Sequence, residues 1–181
     1  MQELPSLGEY NGQFVHPRLA VGGCPFPEHV PAFLAAGIRG VIDARSAYYR
    51  EHVAYLQALP ESVHWMLLGS WDGCYVVPHG QASDRPFMPT SVCPNYAAFM
   101  VEATAHIVRD HSPVLIHCGG GIGRSGNLAA IAYAALEDVT VDEAIQRMRV
   151  YRPKIADWSA QRWGGDGANL VALARRIIRG G

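Results

Sequence analysis

The sequence predicts a single α/β domain with a central, mostly parallel sheet of four to five strands flanked by helices. Apolar runs of strand length alternate with segments of helix length, and such βαβ connections favour parallel pairing. The chain has 181 residues, 49% of them apolar and 17% charged, which suits one compact unit over residues 1–181. In such sheets the ligand site lies at the carboxyl ends of the strands.

The amino-terminal half alternates strands and helices. Phe14–Val21 alternates well enough for a strand or hairpin. A helix is predicted over Pro27–Ala36, since proline suits a first turn and Gly37 a C-cap. There follow a buried strand at Ile38–Ala44, a helix capped by Ser46 that runs to about Leu59, and an internal strand at Val63–Leu68.

The carboxyl-terminal half begins with an irregular segment. Gly69–Pro94 holds three glycines and four prolines without lasting periodicity, and a loop of this length in a compact domain is usually functional. A helix over Asn95–Arg109 and a strand over Pro113–His117 come next. The last predicted elements are helices at Arg124–Leu136, at Thr140–Arg152 with a capping box from Thr140 to Glu143, and at Asp166–Ile178.

The stretch after the last predicted strand, HCGGGIGRSGN from His117, contains overlapping phosphate-site patterns. Three of its glycines fit the G-x-G-x-x-G fingerprint of dinucleotide-binding folds. That fingerprint also needs a second strand that ends in an acidic residue, but Asp142 lies in the first turn of a predicted helix. The P-loop lysine of nucleotide hydrolases is absent, with Arg124 in the nearest equivalent place. Neither nucleotide interpretation therefore fits well.

A cysteine interpretation accounts for every residue of this stretch. A glycine loop between a strand and a helix N-terminus turns backbone N–H groups inward and forms a nest for phosphate oxygens. The same field favours a thiolate, so we expect the pKa of Cys118 to lie well below the free value of about 8.5. Arg124 can hold two phosphate oxygens in a fork, and Ser125 can hydrogen-bond the sulfur. The plain alternative is a tight turn beside a buried cysteine, but four glycines in five residues lose much conformational entropy.

Charge, cysteine and histidine patterns argue against several other classes. The net charge of -1 gives no broad basic surface for nucleic acid. The start lacks a secretory signal, and the longest apolar run, Leu128–Leu136, is far shorter than the roughly 20 residues of a membrane span. The cysteines lack C-x-x-C spacing and the histidines lack metal-ligand spacing. We therefore expect a cytoplasmic protein without metal, cofactor, nucleic-acid or membrane partner.

The stretch from His117 to Ser125 resembles the H-C-x-x-G-x-x-R-[ST] signature of the cysteine-dependent protein tyrosine phosphatase superfamily. HPRLAVGG, PAFLAAGIRGVIDARS and RVYRP are similar to segments of its small dual-specificity members, so the resemblance covers about residues 14–160. It implies hydrolysis of a phosphomonoester through a phosphocysteine intermediate on Cys118.

Each loop residue then has an expected role. Cys118 is the nucleophile, Arg124 follows the phosphate through the transition state, and Ser125 assists the departure of the sulfur in the second step. His117 orients the loop and does not contact substrate. The residues expected to bind the phosphate are Gly119, Gly120, Gly121, Ile122, Gly123 and Arg124.

The resemblance also implies an aspartic acid on a mobile loop, which protonates the leaving oxygen and later activates water. Asp84 lies near the usual family separation from Cys118 and is followed by prolines, whereas Asp72 follows its strand almost directly. We favour Asp84 and keep Asp72 as the alternative. Gln161 is the only glutamine placed to position the water, and an ordinary surface glutamine is its other interpretation.

The variable loop positions indicate the substrate class. Members of this superfamily that act on phosphoinositides often carry lysines there, whereas Gly119, Gly120 and Ile122 are uncharged. The resemblance therefore favours a phosphate monoester without further phosphates, and we expect a phosphoprotein. Two alternatives remain: a lipid, inositol or nucleotide phosphate as substrate, or a catalytically weak pseudophosphatase that only binds phosphorylated partners. The sequence indicates no oligomeric state.

Overall fold

A computed structural model of the protein describes residues 4–45, 54–68, 76–77, 96–158 and 166–180. The strands in these ranges form one sheet in the order β1-β2-β6-β3-β4-β5. Their bounds are β1 Gly12–His16, β2 Leu19–Gly22, β3 Gly40–Asp43, β4 His64–Leu68, β5 Val76–Val77 and β6 Val114–His117. Strands β2, β6, β3 and β4 run parallel, and β1 and β5 pair antiparallel at the two edges.

The helices of the described ranges lie on both faces of this sheet. A short 3-10 helix, Pro27–His29, leads into the first of them. Their bounds are α1 Val30–Ala35, α2 Ala54–Gln57, α3 Tyr96–His111, α4 Arg124–Glu137, α5 Val141–Arg149 and α6 Gly167–Ile178. The predicted α/β fold with a mostly parallel sheet is confirmed.

The described sheet has six strands, against the four to five predicted. The predicted strand or hairpin at Phe14–Val21 is a hairpin and contributes both β1 and β2. Strand β5 falls in Gly69–Pro94, where the sequence predicted no strand. Two residues are too short to show the alternation that identifies a strand, so no pattern could have revealed β5.

The central strands are covered on both faces, which explains their uninterrupted apolar sequence. All four residues of β6 are buried, as are those of β2 and β3. Val114 and Ile116 belong to the larger apolar cluster with α3 to α6, whereas Leu115 packs in a second cluster with α1 and α2. The alternation of side chains along β6 thus joins the two cores.

Helix α4 follows the glycine-rich stretch and is buried on all sides. It packs against α3, α5 and α6 and against strands β2 and β6. Every residue from Ser125 to Ala135 is buried, because a helix in the centre of a domain has no face left for solvent. The first turn of α4 is therefore held rigidly beside the end of β6.

Most predicted helix boundaries are confirmed, and one needs correction. Thr140 accepts the N–H of Glu143 at 3.2 Å and Glu143 accepts the N–H of Thr140 at 3.0 Å, as expected for a capping box. Helix α5 ends at Arg149 and not at Arg152, because Pro153 disfavours helical backbone at the residue before it. Ser46, the predicted cap of an earlier helix, lies outside the described residues.

The fold gathers three strand ends at one edge of the sheet. Gly22, His117 and Asp43 lie side by side in register at the ends of β2, β6 and β3. The glycine-rich stretch leaves the sheet at this carboxyl edge, as predicted. None of the helices within the described ranges has the length and apolar character needed to cross a membrane.

Candidate active site

Cys118 is the first residue after β6 and lies between the ends of the neighbouring strands. Its N–H donates to the carbonyl of Gly22 at 3.3 Å, and its side chain is buried, with 4% of the residue exposed. The parallel pairing of β6 with β2 and β3 therefore fixes the sulfur at the carboxyl edge of the sheet. From here residues 119–123 form the loop, and Arg124 begins α4.

Every carbonyl oxygen of the loop is hydrogen-bonded to the surrounding scaffold. The donors come from the segment after β2, from the segment after α5 and from α4 itself. The Gly119 carbonyl accepts from Cys24 N (2.9 Å), that of Gly120 from Arg152 Nη2 (3.3 Å), that of Gly121 from Arg152 Nε (2.9 Å), that of Ile122 from Ala156 N (3.2 Å) and that of Gly123 from Asn127 N (2.9 Å). With its carbonyls held outward, the loop turns N–H groups inward, as an anion-binding nest requires.

The inward N–H groups act on the Cys118 sulfur. Burial alone would raise the pKa of the Cys118 thiol, but hydrogen bonds from the Ser125 hydroxyl and from the N–H groups of Ser125, Gly121 and Ile122 outweigh it. The Ser125 oxygen lies 3.2 Å from the sulfur. The pKa of Cys118 is consequently held below its ordinary value, so the site favours the thiolate.

Gly121 is the loop position that only glycine can occupy. Its φ of +69° is a left-handed conformation that other residues rarely adopt. A Cβ there would lie 2.4 Å from Arg152 Nη2 and 2.4 Å from the carbonyl carbon of Gly22. A Cβ on Gly120 would meet nothing closer than the Ile122 side chain at 3.7 Å, so space does not demand glycine there.

Arg124 closes the loop on its other side. It is the first residue of α4 and is half-buried, and its Nη2 lies 4.0 Å from where a Cβ on Gly119 would stand. The guanidinium thus reaches from the last turn of the loop back to its first residue. Together with the positive end of the α4 dipole, it makes the loop a site for an anion.

Beneath the loop lies a buried polar cluster that sequence reasoning missed. Arg45 donates from Nε to Asp43 at 2.8 Å, and both residues are nearly inaccessible. Arg45 also donates from Nη1 to the sulfur of Cys24 at 2.7 Å. Nε2 of His117 hydrogen-bonds the hydroxyl of Tyr55 and lies 3.8 Å from Asp43 Oδ2. The sequence signal for this cluster was the charged pair Asp43 and Arg45, which follows the apolar residues of β3.

His117 is uncharged in this cluster at neutral pH. Burial lowers its pKa to about 4, with Arg45 adding to the effect and Asp43 opposing it. The ring is fully buried and points to Tyr55, which is 62 residues away in sequence. The expected role of His117 in orienting the loop stays a prediction.

The segment before β1 secures the end of β2 beside the loop. The ring of Tyr10 covers Gly12 and Gly22, where a Cβ would lie 2.2 Å from its atoms, and the Tyr10 hydroxyl donates to the carbonyl of Gly23. The neighbouring Asn11 accepts from Arg152 Nη2 at 3.2 Å. Neither residue has a motif that could have identified it from the sequence.

The structure brings together part of the predicted site. Cys118, Ser125 and Arg124 lie together with the loop residues Gly119 to Gly123, and His117 precedes Cys118 at the end of β6. Asp84, Asp72 and Gln161 lie outside the described residues. The described ranges contain no cluster of three or more histidine, cysteine or acidic side chains that could hold a metal ion.

Comparison with known proteins identifies the family. The model of the PTP-SAK family, described as "Swiss Army Knife protein, DSP-PTPase phosphatase domain", matches residues 13–157. Tyrosine-protein phosphatase non-receptor type 2 of Mus musculus is 37% identical over 59 residues, which are 30% of this chain and 14% of that protein. The protein of that name from Rattus norvegicus matches over the same shares.

Solved phosphatase structures share the fold. DUSP15 superposes with a TM-score of 0.61 at 12% identity, covering 93% of this chain and 95% of its own. TpbA of P. aeruginosa gives 0.60 at 18% identity, with 94% and 91% covered. PTPMT1 in complex with PI(5)P gives 0.58 at 16% identity, with 93% and 97% covered. With a family match that spans the sheet and the entire loop, the chain belongs to the dual-specificity and protein tyrosine phosphatase (DSP-PTPase) family.

Proposed function

We propose that the chain is a phosphomonoester hydrolase of protein tyrosine or dual-specificity type that acts through a phosphocysteine intermediate. The observation that carries the proposal is the environment of Cys118, whose sulfur is hydrogen-bonded by Ser125 and by inward N–H groups of the loop. A thiol held in this way ionises readily and is a strong nucleophile.

In the first proposed step, the Cys118 thiolate attacks the phosphorus of the bound monoester. The S–P bond forms and the P–O bond to the leaving group breaks. The loop N–H groups and the Arg124 guanidinium hold the non-bridging oxygens and offset the charge that develops on them. The leaving oxygen takes a proton from an aspartic acid, with Asp84 favoured and Asp72 the alternative.

In the second proposed step, water attacks the phosphorus, the P–S bond breaks and inorganic phosphate forms. The same aspartate, now a carboxylate, accepts the proton of the water; Gln161 is the candidate to orient that water, with an ordinary surface glutamine as its other interpretation. The Ser125 hydroxyl, 3.2 Å from the sulfur, donates to the departing thiolate and makes it a better leaving group. The cycle returns Cys118 to its starting state without metal or cofactor.

The proposed substrate is a cytoplasmic phosphoprotein. Gly119 and Gly120 are exposed and Ile122 is 39% exposed, so the group that bears the phosphate meets an uncharged, partly apolar surface on this side. A lipid, inositol or nucleotide phosphate is the alternative class. The fold neighbour PTPMT1 was solved with PI(5)P, which makes a phosphoinositide a necessary member of any substrate panel.

Replacement of the nucleophile tests the proposal. We expect Cys118→Ser to abolish turnover of p-nitrophenyl phosphate while binding of inorganic phosphate persists, because the N–H groups of the loop remain. Cys24→Ser is the control, since Cys24 reaches the loop through its backbone N–H, which serine keeps. An unchanged rate in Cys118→Ser would refute the covalent mechanism. Phosphate binding without turnover by the wild-type chain would identify a pseudophosphatase.

The substrate class is tested separately with phosphotyrosine and phosphoserine peptides, a phosphoinositide and a nucleotide. We expect the highest kcat/KM on a phosphopeptide. A higher value on the phosphoinositide or the nucleotide would replace the phosphoprotein assignment and leave the mechanism standing.

A further inference from the structure

Arg152 lies behind the loop and grips its backbone. It follows α5, and its guanidinium is half-buried between the loop and the segment before β1. Nε donates to the carbonyl of Gly121 at 2.9 Å, and Nη2 donates to the carbonyl of Gly120 at 3.3 Å and to Asn11 Oδ1 at 3.2 Å. One side chain therefore holds two consecutive loop carbonyls.

The planarity of the peptide bond links these carbonyls to the reactive sulfur. In a trans peptide the carbonyl oxygen and the N–H of the next residue point in opposite directions. When Arg152 draws the Gly120 carbonyl outward, the N–H of Gly121 must point inward, and the Gly121 carbonyl directs the N–H of Ile122 in the same way. The N–H groups of Gly121 and Ile122 are two of the donors that reach the Cys118 sulfur.

We propose that Arg152 is a positioning residue for Cys118, which aims the N–H groups of Gly121 and Ile122 at the sulfur and at the phosphate by holding the two preceding carbonyls. The proposal rests on the proposed function, in which Cys118 is the nucleophile. In this role Arg152 acts through the loop backbone, to which its hydrogen bonds are made.

The role depends on the shape of the guanidinium as well as on its charge. Nε and Nη2 form a fixed fork that reaches neighbouring acceptors together, whereas the single nitrogen of a lysine would hold one of them well. The fit is close, because a Cβ on Gly121 would stand 2.4 Å from Nη2. Lysine at this position therefore keeps the charge but cannot hydrogen-bond both loop carbonyls.

Several charged or titratable groups surround Cys118, and their effects must be separated from that of Arg152. They come from each element packed around the loop. They are Tyr10 before β1, Cys24 after β2, Asp43 and Arg45 at the end of β3, His117 on β6, Arg124 on α4 and Arg152 after α5. Replacement of arginine by lysine leaves the charge count of this set unchanged, so a shift in Cys118 reports the hydrogen bonds.

The test measures the ionisation of Cys118 without turnover. The rate of alkylation by iodoacetamide is followed against pH on the full chain, and the Cys118 peptide is quantified by mass spectrometry. We expect Arg152→Lys to raise the pKa of Cys118 by about one unit, which slows alkylation about tenfold at pH values below that pKa. Asn11→Ala releases Nη2 only, and a smaller rise in the same direction is expected.

Arg39→Lys is the matched control. Arg39 also donates from Nε and Nη2 to a backbone carbonyl, that of Ser112, at the other end of β6. We expect Arg39→Lys to leave the alkylation profile unchanged. An unchanged profile in Arg152→Lys would show that charge alone acts and would overturn the proposal. If Arg152→Lys fails to unfold cooperatively, Asn11→Ala decides in its place, and an unshifted profile there overturns the proposal too.

The same measurements distinguish this inference from the proposed function. A wild-type chain that does not hydrolyse p-nitrophenyl phosphate would refute the proposed function, yet a shift of the alkylation profile in Arg152→Lys would still support the positioning role. A wild-type chain that turns over, together with an unshifted Arg152→Lys profile, would refute the positioning role alone.

Discussion

An arginine binds backbone carbonyls at each end of strand β6. We call these two ends of the parallel strands the amino edge and the carboxyl edge of the sheet. At the amino edge, Arg39 donates from Nε and Nη2 to the carbonyl of Ser112, just before β6. At the carboxyl edge, Arg152 donates from the same two nitrogens to two carbonyls, those of Gly120 and Gly121, just after β6. Both arginines tie the chain together at one end of the same strand.

What differs is the other side of the peptide that each arginine holds. Arg39 holds the backbone where β3 and β6 start. The backbone N–H of Arg39 also donates there, to the carbonyl of Pro113 at 2.9 Å. The peptides that Arg152 holds turn their N–H groups to the Cys118 sulfur. Hydrogen bonds to a backbone carbonyl can therefore affect chemistry when the N–H of the same peptide points to a reactive group.

The largest expected difference between the edges comes from one substitution made at each. Gly121→Ala places a Cβ 2.4 Å from Arg152 Nη2 and from the backbone of Gly22, at a φ of +69°. Gly40→Ala, at the amino edge, places a Cβ 3.0 Å from the carbonyl of His111 and from two apolar side chains. Each change crowds buried atoms, and Gly40→Ala should cost roughly 1–3 kcal/mol of unfolding free energy.

We expect only Gly121→Ala to affect the chemistry. It displaces N–H donors from the phosphate, so turnover of p-nitrophenyl phosphate should fall about a hundredfold or more. Gly40→Ala should keep turnover within a few fold of the wild type at temperatures where it is folded. Urea titrations measure the stability of both variants. Equal losses of turnover in both variants would mean that Gly121→Ala acts through stability alone, and would contradict this expectation.

The proposed reaction at the carboxyl edge also needs a proton donor. Substitution of each candidate, Asp84 and Asp72, shows which of them is the general acid. For the true general acid, replacement by asparagine should lower kcat about a hundredfold and remove the basic limb of the pH–rate profile, because the deprotonated acid no longer limits the rate. We expect this of Asp84→Asn, while Asp72→Asn keeps a bell-shaped profile. The reverse result would assign the role to Asp72, and two intact profiles would exclude both.

Local patterns predicted the elements of the fold because each depends on neighbouring residues. The apolar run at Pro113–His117 and the capping box at Thr140 have this character, and both are observed. The order of the strands does not, since β6 enters between β2 and β3 through contacts distant in sequence. The motif also predicted which residues form the loop, because its glycines, cysteine and arginine follow one another directly between β6 and α4.

The residues that hold the loop in place could not be predicted in the same way. Arg152 belongs to the RVYRP segment that resembles the family, but it acts on backbone carbonyls, which every residue possesses, so the sequence did not indicate its partners. Tyr55 reaches His117 only through the packing of α2 beneath the loop. Side chains that support a site from behind become visible when the fold is known.

The last comparison concerns His117 and the stability of the carboxyl edge in acid. Burial lowers the pKa of His117 to about 4 in the folded chain, against about 6.5 in the unfolded chain. The unfolded chain therefore binds more protons between these values, so stability is complete above about pH 6.5 and is lost as the pH falls towards 4. The loss should be on the order of 3 kcal/mol, measured by urea titration across this range.

A non-titrating side chain at the same place tests the cause of that slope. His117→Asn should reduce the dependence of stability on pH between about 6.5 and 4, whatever its effect at neutral pH; the remaining slope includes His16, whose pKa is also lowered by burial. The same substitution at half-exposed His111, whose ring stacks on His64 at the amino edge, should leave the slope in place. Asp43 adds no slope in this range, because its carboxylate is hydrogen-bonded to Arg45 and its pKa is held below the ordinary value against the effect of burial. A slope that persists in His117→Asn and disappears in His111→Asn would assign the acid sensitivity to the amino edge.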